Sequence, residues 1–205
     1  MKYEMNQVVS FCKTNAPFGG LSNMARGYSM VVANHFISHA EHLYQVCRFP
    51  DDPEVQRMII SQRSPMTAKE ISRKYNSRTR SDWDGIRLDI MDWVLKVKLI
   101  QNWASFSKLL LSTGDFPIVE LSYKDTFWGA KPVGNLLIGD NHLGRLLENL
   151  RGMVKSGEIK AGDKVTPPEG INNFRLNGTE IGIVYPKKSL SLSNKNYQKS
   201  GLEVS

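Results

Sequence analysis

The sequence predicts a helix-rich α+β domain with a few short strands and a C-terminal appendage. Three observations carry that prediction. Apolar residues recur at three- and four-residue spacing over long stretches, above all from Trp83 to Ile100. The other apolar runs are short and bounded by glycine, proline or asparagine, as strands are. After about Lys155 aromatics become fewer and Pro167-Pro168 breaks the pattern, which sets residues 156–205 apart from a main domain at 1–155.

In chain order, Val8 to Cys12 reads as a short strand, and Pro17-Phe18-Gly19-Gly20-Leu21-Ser22-Asn23 as a glycine-rich loop. Val31 to Ile37 forms a pair of short strands around the turn residue Asn34. A helix begins at Ser38. A second begins at Ser64-Pro65, because serine caps free amides and proline suits the first helical position, with Ala68, Ile71 and Tyr75 as its apolar stripe. From Trp83, Ile86, Ile90, Trp93, Val94, Val97 and Ile100 fall on one helix, with Asp92 four residues before Lys96 as a favourable pair. Ile118 to Ser122 reads as a buried strand, followed by the loop Tyr123 to Gly129. Asn141 caps a helix carrying Leu143, Leu146, Leu147, Leu150 and Val154. Glu180 to Tyr185 is the one strand of the appendage. The end, with Lys187, Lys188, Lys195 and Lys199, has little to bury and is expected to be mobile.

Composition narrows the function classes. The chain has 205 residues, 40% of them apolar, enough for one sizeable core. No apolar run approaches the roughly 18 to 20 residues that span a bilayer, and the N-terminus lacks the order of a signal peptide, so a cytoplasmic protein with no membrane partner is expected. Two cysteines, Cys12 and Cys47, make neither a disulfide scaffold nor a zinc site, and fit a reducing compartment. The four histidines show no metal-ligand spacing, so a site with no metal and no cofactor is expected. The formal charge is +7, and from Arg57 to Arg80 seven basic residues face the single acid Glu70. That stretch favours a polyanionic partner or forms a solvated helix face.

The richest chemistry lies in Ser38 to Arg48. A helix there puts Glu41, Tyr44, Gln45 and Arg48 on one face, a set that suits a sugar phosphate: carboxylate for ribose hydroxyls or a proton, guanidinium for a phosphate. Ser38 and Glu41 also have the spacing of a capping box, in which the carboxylate turns back to an amide. Asp125 is the second carboxylate, facing an anomeric carbon or closing an Asx-turn. Trp83 and Trp128 stack on a ring or plug the core. The Gly19-Gly20 loop can offer amides to a pyrophosphate. Lys13, Lys69 and Lys98 are candidate phosphate ligands or, if desolvated, amine nucleophiles.

In this order, the segments Pro17 to Asn23, Ala40-Glu41-His42-Leu43-Tyr44-Gln45, Pro65-Met66-Thr67-Ala68-Lys69, Asp82-Trp83-Asp84, Lys98 to Asn102, Leu111-Ser112-Thr113-Gly114, Asp125-Thr126-Phe127-Trp128-Gly129 and Asn141-His142-Leu143-Gly144 resemble the NADAR family, the YbiA-like proteins linked to NAD and ADP-ribose metabolism. The resemblance runs from about Val8 to Val154. It implies metal-free cleavage of N-glycosidic bonds. Similar members remove ADP-ribose from the amino group of guanine in DNA, often as antitoxin to a DarT-type ADP-ribosyltransferase; others split phosphorylated ribosylamino intermediates of riboflavin synthesis. Carried over residue by residue, Glu41 matches the essential glutamate, Trp83 the tryptophan of the middle helix, and Asp125 with Trp128 the acidic loop. Lys13 matches a lysine of part of the family, expected to engage the opened ribose. Gly19, Gly20, Ser22, Asn23, Tyr44, Arg48, Lys69, Lys98, Gly129 and Asn141 complete the expected substrate contacts. Two departures flank the expected pocket: Met24 replaces an aromatic, and Ala130 to Asp140 replaces a shorter glycine-rich run. The leading expectation is an ADP-ribosyl-guanine hydrolase acting on DNA; a riboflavin-pathway N-glycosidase and a non-catalytic ADP-ribose reader are the alternatives.

Overall fold

The structure is a computed structural model and describes residues 1–187. Its centre is α4 (Trp83–Gln101), whose residues Ile90, Met91, Trp93, Val94, Leu95 and Val97 to Gln101 are all buried, so this helix is enclosed on nearly every side. The pair expected at its surface forms, Lys96 Nζ to Asp92 Oδ2 at 2.6 Å. Against α4 pack α1 (Ala40–Val46), α5 (Trp103–Leu111) and α6 (His142–Ser156), while α2 (Pro53–Ile60) and α3 (Pro65–Lys74) lie against α1. Every residue of α1 is buried, although it is only seven residues long. Its stability therefore comes from tertiary packing rather than from helix propensity.

The strands are short, as expected, and lie at the margins of this helical core. β2 (Val9–Phe11) pairs in parallel with β5 (Ile118–Glu120), and β3 (Met30–Val32) with β4 (His35–Ile37) through a turn whose Ala33 and Asn34 both have positive φ. β1 (Lys2–Glu4), β7 (Leu136–Ile138) and β6 (Lys131–Val133) form an antiparallel sheet in the order β1-β7-β6. The lengthened run Ala130 to Asp140 is this β6-β7 hairpin. Alternation along β5 splits its side chains: Ile118 joins the main core, while Val119 joins Ala130 and Leu137 in a small second cluster. α6 comes close to β5 because position 144 is glycine; a Cβ there would lie 2.0 Å from the Ile118 carbonyl oxygen.

Several expected boundaries shift. Ser64 caps α3 as read, accepting from the Thr67 N–H at 3.4 Å. α1 begins at Ala40 with His39, not Ser38, as its N-cap, and ends before Arg48. The appendage strand is β9 (Thr179–Glu180), paired with β8 (Arg175–Leu176); among the described residues beyond it, only Val184 makes a bridge, to Val165. Ile159, Val165, Phe174, Leu176, Ile181 and Val184 bury themselves in the main core, with Phe174 edge-on to Trp93 at 4.8 Å. The basic end from residue 188 on lies outside the described residues.

Candidate active site

The fold opens a cleft of about 570 Å³ where α1, α3, α4, β5 and the loops after β2 and β5 converge. Its volume is in the range of small-molecule sites. α1 supplies Glu41, Tyr44 and Gln45, followed by Arg48; the loop after β2 supplies Ser22, Asn23 and Met24; α3 supplies Lys69; α4 supplies Trp83, Asp84, Arg87 and Met91; and the β5 side supplies Glu120, Ser122, Asp125 and Trp128. The helical spacing read from Glu41 to Arg48 thus does bring these four residues to one wall.

Glu41 does not form the capping box. No side chain caps α1, and the Ser38 hydroxyl pairs instead with His39 Nδ1 at 3.0 Å. The Glu41 N–H donates to the Asn23 carbonyl at 3.1 Å, and its carboxylate Oε1 accepts from Gln45 Nε2 at 2.8 Å. The same Gln45 amide accepts, through Oε1, from Arg48 Nη1 at 3.3 Å. A carboxylate on one side and a guanidinium on the other fix which way this amide faces. Arg48 in turn donates to Ser72 Oγ (2.9 Å), Asn76 Oδ1 (2.6 Å) and Thr79 Oγ1 (3.1 Å), and lies 5.5 Å from the Trp83 ring. The arginine expected to hold a pyrophosphate is therefore the tie that binds α1, α3 and the start of α4 around Glu41. Of the cleft cations, Lys69 makes no ion pair among the described residues; Arg87 lies beside Asp84 and over the Phe127 ring, and Arg80 is tied to Asp82.

Asp125 lines the cleft and also closes the Asx-turn: its Oδ1 accepts from the Phe127 and Trp128 N–H groups at 3.2 and 3.0 Å. That turn sets Trp128 beside Tyr44, ring centroids 5.5 Å apart, and Tyr44 lies 5.0 Å from Trp83. The three rings make one aromatic wall. Burial, with Glu41 nearby, pushes the Tyr44 phenol far above its usual range, so it stays neutral and serves as a hydrogen-bonding group.

Six expected contacts lie elsewhere. Lys13 is exposed and does not line the cleft. Gly19 and Gly20 also lie outside its lining; Gly19 presses on the Lys13 and Thr14 backbone and Gly20 on Tyr28 and Leu109, so both are glycine for want of room. Lys98 is fully buried and donates to the carbonyls of Gly20 (2.8 Å), Ser22 (3.0 Å) and Leu21 (3.4 Å). Burial pushes it down to about 7, while those carbonyls and the Phe106 ring 4.3 Å away support its charge. It is a clasp on the Ser22-Asn23 loop rather than a phosphate ligand. Asn141 stands at the N-cap position of α6 as read, but its side chain makes no capping bond; with φ 52° it accepts from the Glu120 N–H (3.1 Å) and donates to the Ile118 carbonyl (2.8 Å), locking α6 to β5. Gly129 lets the chain pass against the Glu120 carbonyl, where a Cβ would sit 2.4 Å away. Of the two departures, Met24 lines the cleft and the β6-β7 hairpin does not.

Sequence reasoning missed Asp84, Arg87 and, above all, Glu120. Burial raises the Glu120 carboxyl to about 7, with Glu41 and Asp125 adding to the rise and Lys69 opposing it. The signal was a carboxylate inside the apolar run Ile118-Val119-Glu120-Leu121, because a charge is placed in such a run only at a cost.

The NADAR domain profile matches residues 10–155. The chain belongs to the NADAR family. Among NADAR relatives, a riboflavin biosynthesis protein of Vibrio vulnificus is 33% identical over 147 residues, 72% of this chain and 38% of its own length. The N-glycosidase YbiA of Escherichia coli is 30% identical over 147 residues, 70% of this chain and 86% of its own. An N-glycosidase of Nostoc punctiforme is 29% identical, covering 72% and 93%. This chain thus spans well under half of the Vibrio protein. The NMR structure of Escherichia coli YbiA matches the fold with a TM-score of 0.64 and 26% identity, over 78% of this chain and 91% of that one. Among the described residues no helix is long and apolar enough to cross a membrane.

Proposed function

We propose that the cleft hydrolyses an N-glycosidic bond to a ribosyl carbon, and that its substrate is ADP-ribose carried on the amino group of guanine in DNA. In that reading the protein is a cytoplasmic antitoxin to a DarT-type DNA ADP-ribosyltransferase, and free ADP-ribose is the product. The observation that carries the bond class is the Glu41 carboxylate, held by Gln45 at 2.8 Å in a cleft that Asp125 and an aromatic wall also line. Two carboxylates at an anomeric carbon suit an oxocarbenium-like transition state: Glu41 takes the proton of the attacking water and Asp125 steadies the developing positive charge. Trp83, Tyr44 and Trp128 give an apolar face for a base or ribose ring. The names of the Escherichia coli and Nostoc relatives support N-glycosidase chemistry.

DNA as the carrier is supported by the exposed Arg57, Arg63, Arg73 and Lys74 on α2, α3 and the turn between them. α3 also supplies Lys69 to the cleft, so Arg73, one helical turn on, lies near it, and the exposed charges can neutralise phosphates along a strand. A second reading, cleavage of a free ribosylamino phosphate of riboflavin synthesis, is favoured by the name of the Vibrio relative and would use Lys69 for the phosphate. Steady-state cleavage of a guanine-ADP-ribosylated oligonucleotide and of a ribosylamino-pyrimidine phosphate separates the two. The DNA reading expects kcat/KM to favour the oligonucleotide and to fall with salt. A preference for the pyrimidine, independent of salt, refutes it.

A further inference from the structure

Glu120 is the last residue of β5, and strand alternation puts its side chain on the same side as Ile118, toward the main core, where the cleft opens. Its backbone is fixed on both sides. The N–H donates to Asn141 Oδ1 at 3.1 Å, and the carbonyl accepts from the Ala130 N–H at 2.8 Å. The carboxyl group, by contrast, makes no hydrogen bond with any described residue, although the residue is only partly open to solvent. A carboxyl on a firmly anchored backbone, with unused hydrogen-bonding capacity and lining a cleft, is placed to act on a ligand. The other two carboxylates beside it are engaged: Glu41 with the Gln45 amide, and Asp125 with two backbone N–H groups.

We propose that Glu120 is the general acid of the reaction, delivering its proton to the departing amino nitrogen. This rests on the N-glycosidase reading above and adds a residue to it. An amino nitrogen leaves poorly as an anion, so the bond to the ribosyl carbon breaks readily only when that nitrogen is protonated as it takes the bonding electron pair. The step balances as follows. The Glu120 carboxyl gives its proton to the nitrogen, the C–N bond breaks toward nitrogen, water adds to the ribosyl carbon, and Glu41 takes the proton that water loses. One water is consumed, the ribose gains a hydroxyl, and the base keeps a free amino group. Exchange with solvent restores both carboxyl groups.

The surroundings of Glu120 suit that role. Glu41 on α1 and Asp125 on the following loop oppose its ionisation, as burial does; Lys69 on α3 favours it. From α4, Asp84 and Arg87 line the same cleft with opposite charges, and Arg48 lies beyond Gln45. The balance holds Glu120 near 7, so a substantial fraction carries a proton at neutral pH, as a general acid requires.

The test is the pH profile of kcat/KM for both substrates with wild type, Glu120→Gln and Glu120→Asp, together with carbon-13 NMR titration of the glutamate carboxyl groups. The wild-type rate should fall as pH rises through about 7. Glu120→Gln should lower it by roughly 10²- to 10⁴-fold and abolish that limb, while Glu120→Asp restores part of the rate and keeps a limb. A glutamate resonance titrating near neutrality should vanish in Glu120→Gln. A limb that persists in Glu120→Gln, or a rate within about threefold of wild type, overturns the assignment while leaving the N-glycosidase reading intact. A wild type that cleaves neither substrate overturns both.

Discussion

Replacing Lys98 by methionine removes the clasp on the Ser22-Asn23 loop while keeping a side chain of similar length. Three carbonyls lose a donor, but not equally. The Gly20 oxygen has no other partner among the described residues, the Ser22 oxygen keeps the Ala25 N–H at 3.2 Å, and the Leu21 contact at 3.4 Å is weak. Leaving one carbonyl unsatisfied costs about 1–3 kcal/mol, and weakening a second adds about half of that again. Relief from burying an ammonium offsets part of the loss. The net expectation is about 2 kcal/mol of destabilisation at pH 7. The offset also has a pH signature. A lysine whose folded value is lowered to about 7 from 10.5 penalises the fold below 7, and that penalty fades as pH rises toward 10.5. A neutral amine still donates two hydrogens, so the clasp survives. The wild type should therefore gain about 2 kcal/mol on Lys98→Met between pH 7 and 9. Urea denaturation at both pH values measures this. Cleavage should fall at least tenfold, because the released loop carries the Asn23 carbonyl that receives the Glu41 N–H. A variant within about 0.5 kcal/mol of wild type at both pH values, with unchanged activity, would refute the clasp.

Three other outcomes follow from the same contacts. Asn141→Ala loses the bonds to Ile118 and Glu120 and leaves at φ 52° a residue that tolerates this region less well than Asn, so it should cost about 3 kcal/mol, or roughly 6–12 °C in Tm by thermal unfolding. The Glu120 carboxyl, raised to about 7 from 4.5, contributes stability that is present at low pH and lost as pH rises through 7; Glu120→Gln should then be more stable than wild type by about 1–2 kcal/mol at pH 8 and not at pH 4, in denaturation curves. Arg73→Glu with Lys74→Glu, both on the exposed end of α3, should weaken binding of the modified oligonucleotide and lower its salt slope by about 2 in a titration series. Cleavage of a free ribosylamino phosphate should not change.

The helices that sequence made legible are those whose apolar spacing is set off by a cap or a change of composition. Ser64-Pro65 marks α3, and Asp52-Pro53 marks α2 by the same rule, with Asp52 accepting from the Val55 N–H at 3.2 Å. α5 was hidden for a different reason. Only Asn102, at φ −134°, separates it from α4, and apolar residues run on through the break. What bends the chain there is tertiary: the Asn102 amide donates to the Ser29 carbonyl at 3.1 Å. The β6-β7 hairpin had its turn pair in Gly134-Asn135, but its second strand, β7, also pairs with β1, more than a hundred residues away.

In the site, local spacing was enough for Glu41, Tyr44, Gln45 and Arg48, since one helical wall carries them. It failed wherever a polar or glycine motif serves packing. Gly19, Gly20, Gly129 and Asn141 stand in the motifs because chains must pass closely there, and Lys98 because a loop needs a donor from below. Glu120 shows in the sequence as a carboxylate in an apolar run, but its role does not: on β5 it reads as one residue of a buried strand, and its chemistry comes from Glu41, Lys69 and Asp125, which only the fold brings near.

The most direct test of the central claim is single-turnover release of ADP-ribose from a guanine-ADP-ribosylated oligonucleotide by wild type and by Glu41→Gln, with binding of the same oligonucleotide measured alongside. Gln is nearly isosteric and can still bond Gln45, so the fold should survive. A catalytic Glu41 predicts release slowed by at least about 10²-fold with affinity within a few-fold of wild type. Equal release by both proteins, or none by either with tight binding by both, would contradict it, the second result leaving a protein that reads ADP-ribose without cleaving it.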